Sequence, residues 1–289
     1  MKLTIKDNQP FKICQLTDIH IGDFPLNAAD QKTLNSLDKF LAAHSFDLIM
    51  ITGDLIWGKL ASNPVKSLGA LFEVLNKYPI PVAITYGNHD AEGQFSRKDL
   101  RRIEERLKYP ADKHHSQVVN DRESYALEVY DGDALRHVLY VWDSGAYSHW
   151  PDDEQYAAIE SEQINWFLQL PYNRDQDDLD LGFLHIPFPE YNSAKLTILD
   201  GVQNEAVSSP ETNSGLFYAL KRQENVKAVF AGHDHDNNFV GSLRNLQLIY
   251  GNVTGYNTYG ALPRGAREID ITPDSINTNI LLFDEINSL

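Results

Sequence analysis

Short apolar segments alternate with helix-like patterns along the first half of the chain, and this alternation most constrains the fold. Leucines at positions 34, 37 and 41 recur at helical spacing between two apolar segments, and similar helical patterns follow near residues 68–75 and 100–107. Strands that alternate with helices of this length indicate βαβ crossovers and a largely parallel sheet. The predicted strands of this half are Phe11 to Thr17, Asp47 to Thr52 and Pro81 to Tyr86.

The second half of the chain reads mostly as strand. Two apolar segments, Ser124 to Tyr130 and Arg136 to Trp142, flank Asp131-Gly132-Asp133, and an Asp-Gly pair in this setting predicts a β-hairpin. Helices are predicted at Ser161 to Leu170 and Leu216 to Arg222. Two sheets packed face to face with helices outside would account for both halves. The further predicted strands are 179–184, 226–231, 239–243, 246–250, 267–271 and 276–283.

Composition restricts the chemistry of any ligand. The 289 residues include 41 acidic and 25 basic side chains, which gives a formal charge of −16 and disfavours a broad nucleic-acid surface or an anionic membrane as partner. Cys14 is the single cysteine, so a thiolate zinc cluster is excluded. Polar residues interrupt the first segment, and we expect a soluble cytoplasmic protein without a membrane span.

Polar residues that could bind metal follow five of the predicted strands. In open α/β sheets, ligands bind outside the carboxyl ends of the strands, so these five loops are expected to converge. Each pair or triplet is a weak signal alone, for which a surface or capping role is the stronger interpretation, but the combination is far more specific. The residues are Asp18 and His20, then Asp54, then Asn88, His89 and Asp90, then His185, and finally His233, Asp234 and His235.

The residue types at these strand ends predict a two-metal site. Imidazole, carboxylate and amide ligands suit Mn, Fe, Zn, Ni or Co. Two carboxylates, one amide and four imidazoles exceed the needs of one tetrahedral site, so two divalent ions that share a bridging carboxylate are the economical arrangement. Ions held about 3.5–4 Å apart activate water and stabilise the attacking and leaving oxygens of an in-line displacement. Hydrolysis of a phosphate ester is the natural reaction.

The five blocks resemble the pattern of the calcineurin-like metallophosphoesterase superfamily, which is D-x-H, G-D, G-N-H-D/E, a histidine after a strand, and G-H-x-H. All five occur in order. Beyond these blocks, the chain resembles the purple-acid-phosphatase-29-like and yeast DCR2-type branch of the superfamily. This resemblance covers most of the chain. It is carried by LYVWDSGAYS (139–148), FLHIPFPEY (183–191), AGHDHDNNFVG (231–241) and YNTYGALPRGAREI (256–269).

The resemblance implies a four-layered α/β/β/α sandwich of two mixed β-sheets, and we expect residues 1–289 to form a single metallophosphoesterase domain. Asp54 would bridge the two ions, and His89 would bind no metal but face the scissile phosphate. Trp57 stands where purple acid phosphatases have an iron-binding tyrosine, so the site is expected to be colourless. The implied ligands are Asp18, His20 and His235 for one ion and Asn88, His185 and His233 for the other.

These residues lead to a mechanistic hypothesis. A hydroxide that bridges the ions would attack phosphorus in line, because a metal lowers the pKa of bound water towards ~7. Asn88 would contact the phosphate oxygens, and His89 would assist departure of the leaving group. The expected substrate is a small phosphorylated molecule or a phosphoprotein, hydrolysed as a phosphomonoester. A phosphodiester, including a cyclic nucleotide, and a non-catalytic scaffold of the same fold remain as alternatives.

Overall fold

The computed structural model describes residues 1–6, 9–149 and 155–288. Its helices are α1 (Ala28–Ala43), α2 (Pro64–Leu75), α3 (Arg97–Glu104), α4 (Ser161–Gln169), α5 (Tyr191–Ala194) and α6 (Leu216–Gln223), with a 3₁₀ helix at Phe283–Ser288. Its strands are β1 (Leu3–Thr4), β2 (Phe11–Leu16), β3 (Leu48–Thr52), β4 (Val82–Thr85), β5 (His114–Val119), β6 (Arg122–Asp131), β7 (Ala134–Trp142), β8 (Asp180–Phe183), β9 (Ile198–Asp200), β10 (Val226–Ala231), β11 (Val240–Leu243), β12 (Leu246–Tyr250), β13 (Gly265–Ile271) and β14 (Ile276–Leu282).

The smaller sheet contains the βαβ units that the first half of the sequence predicts. Its strand order is β14-β13-β2-β3-β4, in which β2, β3 and β4 run parallel and β13 and β14 are antiparallel. Helix α1 begins at a capping box, where the Asn27 side chain accepts from the Asp30 backbone and Asp30 accepts in return. Helix α2 begins with Pro64, whose fixed φ suits the first helical turn.

The larger sheet has the order β1-β6-β7-β8-β10-β12-β11-β9, and β5 pairs with β6. The predicted hairpin is present as β6 and β7, with Ser124 opposite Trp142 and Asp131 opposite Ala134. Gly132 lies in the turn with φ 59°, a conformation in which glycine avoids a steric penalty. Strands β7, β8, β10 and β12 run parallel, so the sheet is mixed.

The helices and the two sheets form four layers, and apolar cores lie between neighbouring layers. Residues such as Ile13, Met50, Leu181 and Phe230 form the core between the two sheets. A second core packs the smaller sheet against α1, α2 and α3, and a third packs the larger sheet against α4 and α6. The predicted α/β/β/α sandwich of two mixed sheets is therefore confirmed.

No helix in the described part of the chain is long and apolar enough to cross a membrane. The cytoplasmic location stays a prediction, as does the single domain.

Candidate metal centre

The predicted site residues lie just beyond the carboxyl ends of strands from both sheets. Asp18 and His20 follow β2, Asp54 follows β3, and the loop with Asn88 and His89 follows β4. From the larger sheet, His185 follows β8, and the loop with His233 and His235 follows β10. The parallel order of these strands brings side chains from distant parts of the sequence to one end of the sandwich.

One group of potential ligands consists of Asp18, His20 and His235, whose ligand atoms lie within 4.8 Å of one another. His235 Nε2 is 3.4 Å from Asp18 Oδ1 and 3.3 Å from His20 Nε2. All three side chains are buried. The Thr17 hydroxyl donates to Asp18 Oδ2 at 2.8 Å, which orients that carboxylate.

A second group contains Asp54, His185 and His233, also with ligand atoms within 4.8 Å. The Asn88 side chain joins it, because its Oδ1 lies 3.1 Å from His185 Nε2. His185 Nδ1 is 2.7 Å from the Thr52 carbonyl oxygen, so this nitrogen carries a proton and donates it. In the neutral ring, Nε2 then presents its lone pair towards Asn88 Oδ1 and Asp54 Oδ2.

The Asp54 carboxylate lies between the two groups. Its Oδ2 is 3.5 Å from His20 Nε2 in the first group and 3.2 Å from His185 Nε2 in the second. Its other oxygen, Oδ1, accepts the His89 backbone N–H at 2.8 Å. This position between the groups is the geometry that a bridging carboxylate needs.

The donor set fits divalent cations. Asp54 Oδ2 and His233 Nε2 are buried without a hydrogen-bond partner among the described residues, although such atoms are costly to leave unpaired. Carboxylate, amide and imidazole acceptors also crowd together with few donors between them. The two groups therefore fit a pair of divalent ions.

Electrostatics within the cluster are dominated by burial and by the carboxylates. Burial opposes ionisation of Asp18, but the hydrogen bond and charge of His235 outweigh it and lower the pKa of Asp18 to about 2. Burial also opposes protonation of His185, but the charge of Asp54 outweighs it and raises the pKa of His185 to about 9. Burial lowers the pKa of His20 and of His233 to about 3. The pocket thus holds anionic carboxylates beside two neutral imidazoles.

Several proposed ligands adopt a left-handed backbone, which residues other than glycine rarely use. The φ angles are 53° at Asp18, 50° at His20, 52° at Asp54 and 82° at His233. Residues in such conformations persist only where the surrounding structure holds them, and they cluster at functional sites.

Glycine at position 87 is required by close packing at the centre. A Cβ at Gly87 would come within 2.1 Å of Asp54 Oδ1 and 2.7 Å of the Asp54 nitrogen. The absence of a side chain at Gly87 therefore lets the Asn88 loop approach Asp54.

His89 lies beside the cluster and is not part of either ligand group. Its side chain is 25% exposed, and its Nδ1 is 2.8 Å from Glu92 Oε2. The Trp57 ring packs against both His20 and His89, with ring centroids 4.7 Å from each, and the two imidazole centroids are 5.2 Å apart. Trp57 Nε1 donates to the Asn257 carbonyl at 2.8 Å. The indole therefore acts here as a hydrogen-bond donor and a packing surface.

Asp90 and Asp234, the two further carboxylates in the motif loops, support the backbone of the loops and do not hydrogen-bond any imidazole ring that the structure describes. Asp90 accepts backbone N–H groups of Asp54, Ile56 and Gly87 at 2.7–3.1 Å, which joins the loop after β3 to the loop after β4. Asp234 accepts from the Tyr250 hydroxyl at 2.6 Å and from the Ser208 backbone.

A buried ion pair that the sequence did not predict also anchors the Asn88 loop. Arg97 Nε donates to Asp143 Oδ2 at 2.8 Å, and Arg97 Nη2 donates to the Gly87 carbonyl at 2.9 Å. Both side chains are less than 10% exposed. Arg97 lies on a helix with many charged residues, so nothing in the local sequence distinguished it from an exposed arginine.

Tyrosines that the sequence did not predict contact the imidazoles. The Tyr156 ring meets His233 edge-on with centroids 4.3 Å apart, and the Tyr259 ring stacks on His235 at 4.0 Å. Tyr259 lies within a block that carries the family resemblance, but Tyr156 has no such signal.

The fold and the two ligand groups together define the class of dimetal phosphoesterases. The calcineurin-like phosphoesterase family model matches residues 11–237, and the chain belongs to this family. The strand-end motifs of this chain are those expected from its resemblance to the family.

Similar curated proteins come from plants and yeast. The chain is 32% identical over 293 residues to the Arabidopsis thaliana protein named "Probable inactive purple acid phosphatase 29", covering 90% of this chain and 75% of that protein. It is 28% identical over 275 residues to "Phosphatase DCR2" of Saccharomyces cerevisiae, covering 82% of this chain and 46% of the yeast protein. The resemblance to this branch is confirmed.

Solved structures share the fold at low sequence identity. A dimetal phosphatase from Danio rerio superposes with a TM-score of 0.69 at 13% identity, covering 95% of this chain and 97% of that one. A purple acid phosphatase from Lupinus luteus seeds superposes with a TM-score of 0.62 at 11% identity, covering 96% of this chain and 52% of that one.

Proposed function

We propose that the protein is a dinuclear-metal-dependent phosphomonoesterase. The observation that carries this proposal is the convergence of six buried candidate ligand side chains around Asp54, with His89 beside them and partly exposed. Asp18, His20 and His235 would hold one ion, and Asn88, His185 and His233 the other. Asp54 would be shared between them.

The ions, when bound, supply Lewis acidity and lower the pKa of water, and the other contributions come from the side chains. The Asp54 and Asp18 carboxylates, ionised at neutral pH, provide the negative charge that retains the ions. Asn88 offers its amide to the phosphate oxygens as well as to the metal. His89 Nε2 would contact the departing oxygen, because Glu92 engages the opposite nitrogen of the ring.

Glu92 determines which nitrogen of His89 faces the leaving group. Its carboxylate lies 2.8 Å from Nδ1 and holds that nitrogen, so Nε2 is the ring atom that would approach the departing oxygen. The Trp57 ring, whose centroid lies 4.7 Å from that of His89, packs against the imidazole and restricts its rotation. The arrangement is suited to protonation of an alkoxide or phenoxide oxygen.

The monoester preference is supported by the names of the relatives, which are phosphatases. A phosphodiesterase, including one for cyclic nucleotides, is the alternative within the same chemistry. The word "inactive" in the plant names favours a second candidate, a non-catalytic scaffold. Against it, each ligand position of the family pattern in this chain carries a residue that can bind metal.

Metal analysis paired with activity tests the proposal. The full chain is stripped with chelator, reconstituted separately with Mn, Zn, Fe, Ni or Co, and assayed with 4-nitrophenyl phosphate and bis(4-nitrophenyl) phosphate. We expect two ions per chain and faster hydrolysis of the monoester. Two bound ions without hydrolysis of either ester would support the scaffold, and faster hydrolysis of the diester would support the phosphodiesterase.

A matched pair of variants assigns the ions to this centre. Asp54→Asn removes the shared carboxylate charge, so we expect at most one ion per chain and loss of activity. Asp274→Asn changes an exposed aspartate in the turn between β13 and β14 and should retain both ions. Two ions in Asp54→Asn would contradict the proposed ligand set.

A further inference from the structure

A tyrosine ring packs against one histidine of each group of potential ligands. Tyr259 stacks on His235 of the first group, with an interplanar angle of 24°. Tyr156 packs edge-on against His233 of the second group, at 88°. Tyr147 extends this surface, since its ring lies parallel to Tyr156 with centroids 5.8 Å apart and an angle of 20°.

These rings are accessible although they contact buried residues. Tyr259 is 54% exposed and Tyr147 is 47% exposed, while Tyr156 is half-buried. Large aromatic side chains left exposed beside a polar cluster cost apolar burial, so their place needs an explanation. Three such rings next to one candidate site offer flat apolar surface to a ligand.

The charged partners of these tyrosines are acidic. The Tyr147 hydroxyl donates to Glu92 Oε1 at 3.0 Å, and the Tyr259 hydroxyl donates to Glu205 Oε2 at 3.0 Å. Two carboxylate side chains therefore lie beside the tyrosine rings. A ligand group that packs against these rings would therefore meet aromatic faces and two carboxylate side chains.

The loop that carries Tyr259 is held in place by a buried arginine. Arg264 donates to the backbone carbonyls of Gly255 at 2.7 Å and Tyr259 at 3.0 Å, and to the Thr258 hydroxyl at 3.1 Å. Its guanidinium is thus used within the loop. The ring of Tyr259 is positioned by backbone contacts that do not depend on a bound ligand.

We propose that Tyr147, Tyr156 and Tyr259 form a leaving-group pocket that, with Glu92 and Glu205, selects phosphomonoesters of flat aromatic groups without further negative charge. The selection rests on the proposed phosphomonoesterase function. The phosphate enters the metal centre, and the aromatic group packs against the tyrosine rings, which prefer offset or edge-on contact with another ring. Leaving groups with a carboxylate or a second phosphate are repelled by the two glutamates.

Binding of phosphonates tests this pocket without hydrolysis. Phenylphosphonate and methylphosphonate are titrated calorimetrically into the Mn²⁺-loaded full chain. Only the first of the two ligands has an aromatic ring. We expect phenylphosphonate to bind about tenfold more tightly. Equal affinity of the two, or binding of neither, would overturn the pocket.

Variants then assign the preference to the rings. Tyr259→Ala and Tyr147→Leu should each weaken phenylphosphonate binding about threefold to tenfold and leave methylphosphonate binding unchanged. Tyr259→Phe keeps the ring and should keep the preference, and Tyr218→Ala, at an exposed tyrosine on α6, is the matched control. Equal weakening of both ligands would show that the rings act only by supporting the metal centre.

A third ligand tests whether the two glutamates select against negative charge. We expect 4-carboxyphenylphosphonate to bind about tenfold more weakly than phenylphosphonate and the Glu205→Gln variant to reduce that difference. Equal binding of the two ligands would refute the acidic selection.

The two proposals fail in different ways. Tighter binding of phenylphosphonate than of methylphosphonate, without hydrolysis of any ester, would contradict the phosphomonoesterase function and support the pocket as a binding site. Hydrolysis without phenyl preference in the phosphonate titration would remove the pocket and keep the function.

Discussion

Glu92 Oε2 lies 2.8 Å from His89 Nδ1, so the imidazole beside the metal centre has a carboxylate partner three residues along the chain. The other Glu92 oxygen accepts from Tyr147, which limits rotation of the carboxylate. His89 is therefore held from the side opposite to the atom that would contact substrate. The pair is formed by a short local contact, in contrast to the long-range contacts that build the rest of the centre.

Replacement of the carboxylate tests this positioning. Glu92→Gln should lower kcat about tenfold to hundredfold with little change in KM, since it removes part of the about 10²–10⁴-fold contribution of general acid catalysis. Steady-state kinetics on the Mn²⁺-loaded enzyme measures both constants. Glu73→Gln, at an exposed glutamate of α2, is the control. A rise in KM without a fall in kcat would contradict the positioning role.

Removal of the imidazole itself should have a larger effect. We expect His89→Ala to lower turnover of a phosphomonoester about 10²–10⁴-fold and to retain two metal ions per chain, because His89 belongs to neither ligand group. Metal content is measured by plasma mass spectrometry on the same samples as the kinetics. Loss of metal from this variant would show that His89 is a ligand.

Gly87→Ala should disrupt the centre without removing any ligand. The added Cβ would overlap Asp54 Oδ1, so the carboxylate must move away from its position between the two groups. We expect metal binding to fall to one ion per chain or fewer, measured by metal analysis after dialysis. Gly69→Ala is the control, since its Cβ meets one distant arginine atom and helix α2 should gain about 0.5–1 kcal/mol. Retention of both ions by Gly87→Ala would refute the steric argument.

The buried Arg97–Asp143 pair should be costly to break. Asp143→Ala leaves the Arg97 guanidinium buried without its carboxylate, and removal of one partner of such a pair costs about 3–5 kcal/mol. Urea unfolding of the metal-free protein measures the loss. The exposed pair of Arg102 and Asp99 gives the matched comparison, where Arg102→Ala should cost much less, because solvent screens the pair. Similar losses in the two variants would contradict the importance of burial.

The stability of the metal-free protein should fall at alkaline pH. The pKa of His185 is about 9 in the folded chain, because the charge of Asp54 outweighs burial, and about 6.5 in an unfolded chain. Its contribution is fully present below pH 6.5 and is lost as pH rises through about 9, on the order of 3 kcal/mol. Urea unfolding at pH 6.5, 8 and 9.5 measures this loss, which His185→Gln should abolish. Constant stability over this range would contradict the Asp54 interaction.

Metal affinity should change in the opposite direction over the same range. A protonated His185 cannot bind a cation, so binding of Mn²⁺ must release that proton. We expect the apparent affinity for Mn²⁺ to rise between pH 6.5 and about 8.5, measured by calorimetry in buffers of different ionisation enthalpy. Binding without proton release at pH 7 would place His185 outside the ligand set.

The sequence predicted most strands because their buried positions carry mainly apolar residues, in runs or in alternation. The strands Val226–Ala231 and Leu246–Tyr250 were predicted to the residue, and the other predicted strands differ at their ends by up to two residues. It missed β1, which is two residues long, β5, whose residues are mostly polar and exposed, and β9, which is three exposed residues long. None of these strands has the alternation or long apolar run from which strands are predicted.

The side chains that converge at the strand ends could be predicted, because metal chemistry limits a candidate ligand position to a few residue types; their role as ligands stays a prediction. The supporting residues could not, because their contacts depend on the folded chain. Arg97 meets Asp143 across 46 positions, and Tyr259 reaches His235 from a separate loop. Glu92 lies three residues from His89 and could have been noticed, but a carboxylate at that spacing is common in any sequence.

Each proposed ion would be a cross-link between the two sheets. Asp18 and Asp54 follow strands of the smaller sheet, whereas His185 and His235 follow strands of the larger one. The apolar layer between the sheets is non-directional, so it resists separation more strongly than sliding. Bound ions would fix that sliding coordinate, and any displacement of one sheet along the other would alter both coordination spheres together. A change in the relative position of the sheets would then change the distance between the ions, and a fixed distance between the ions would keep the sheets from sliding.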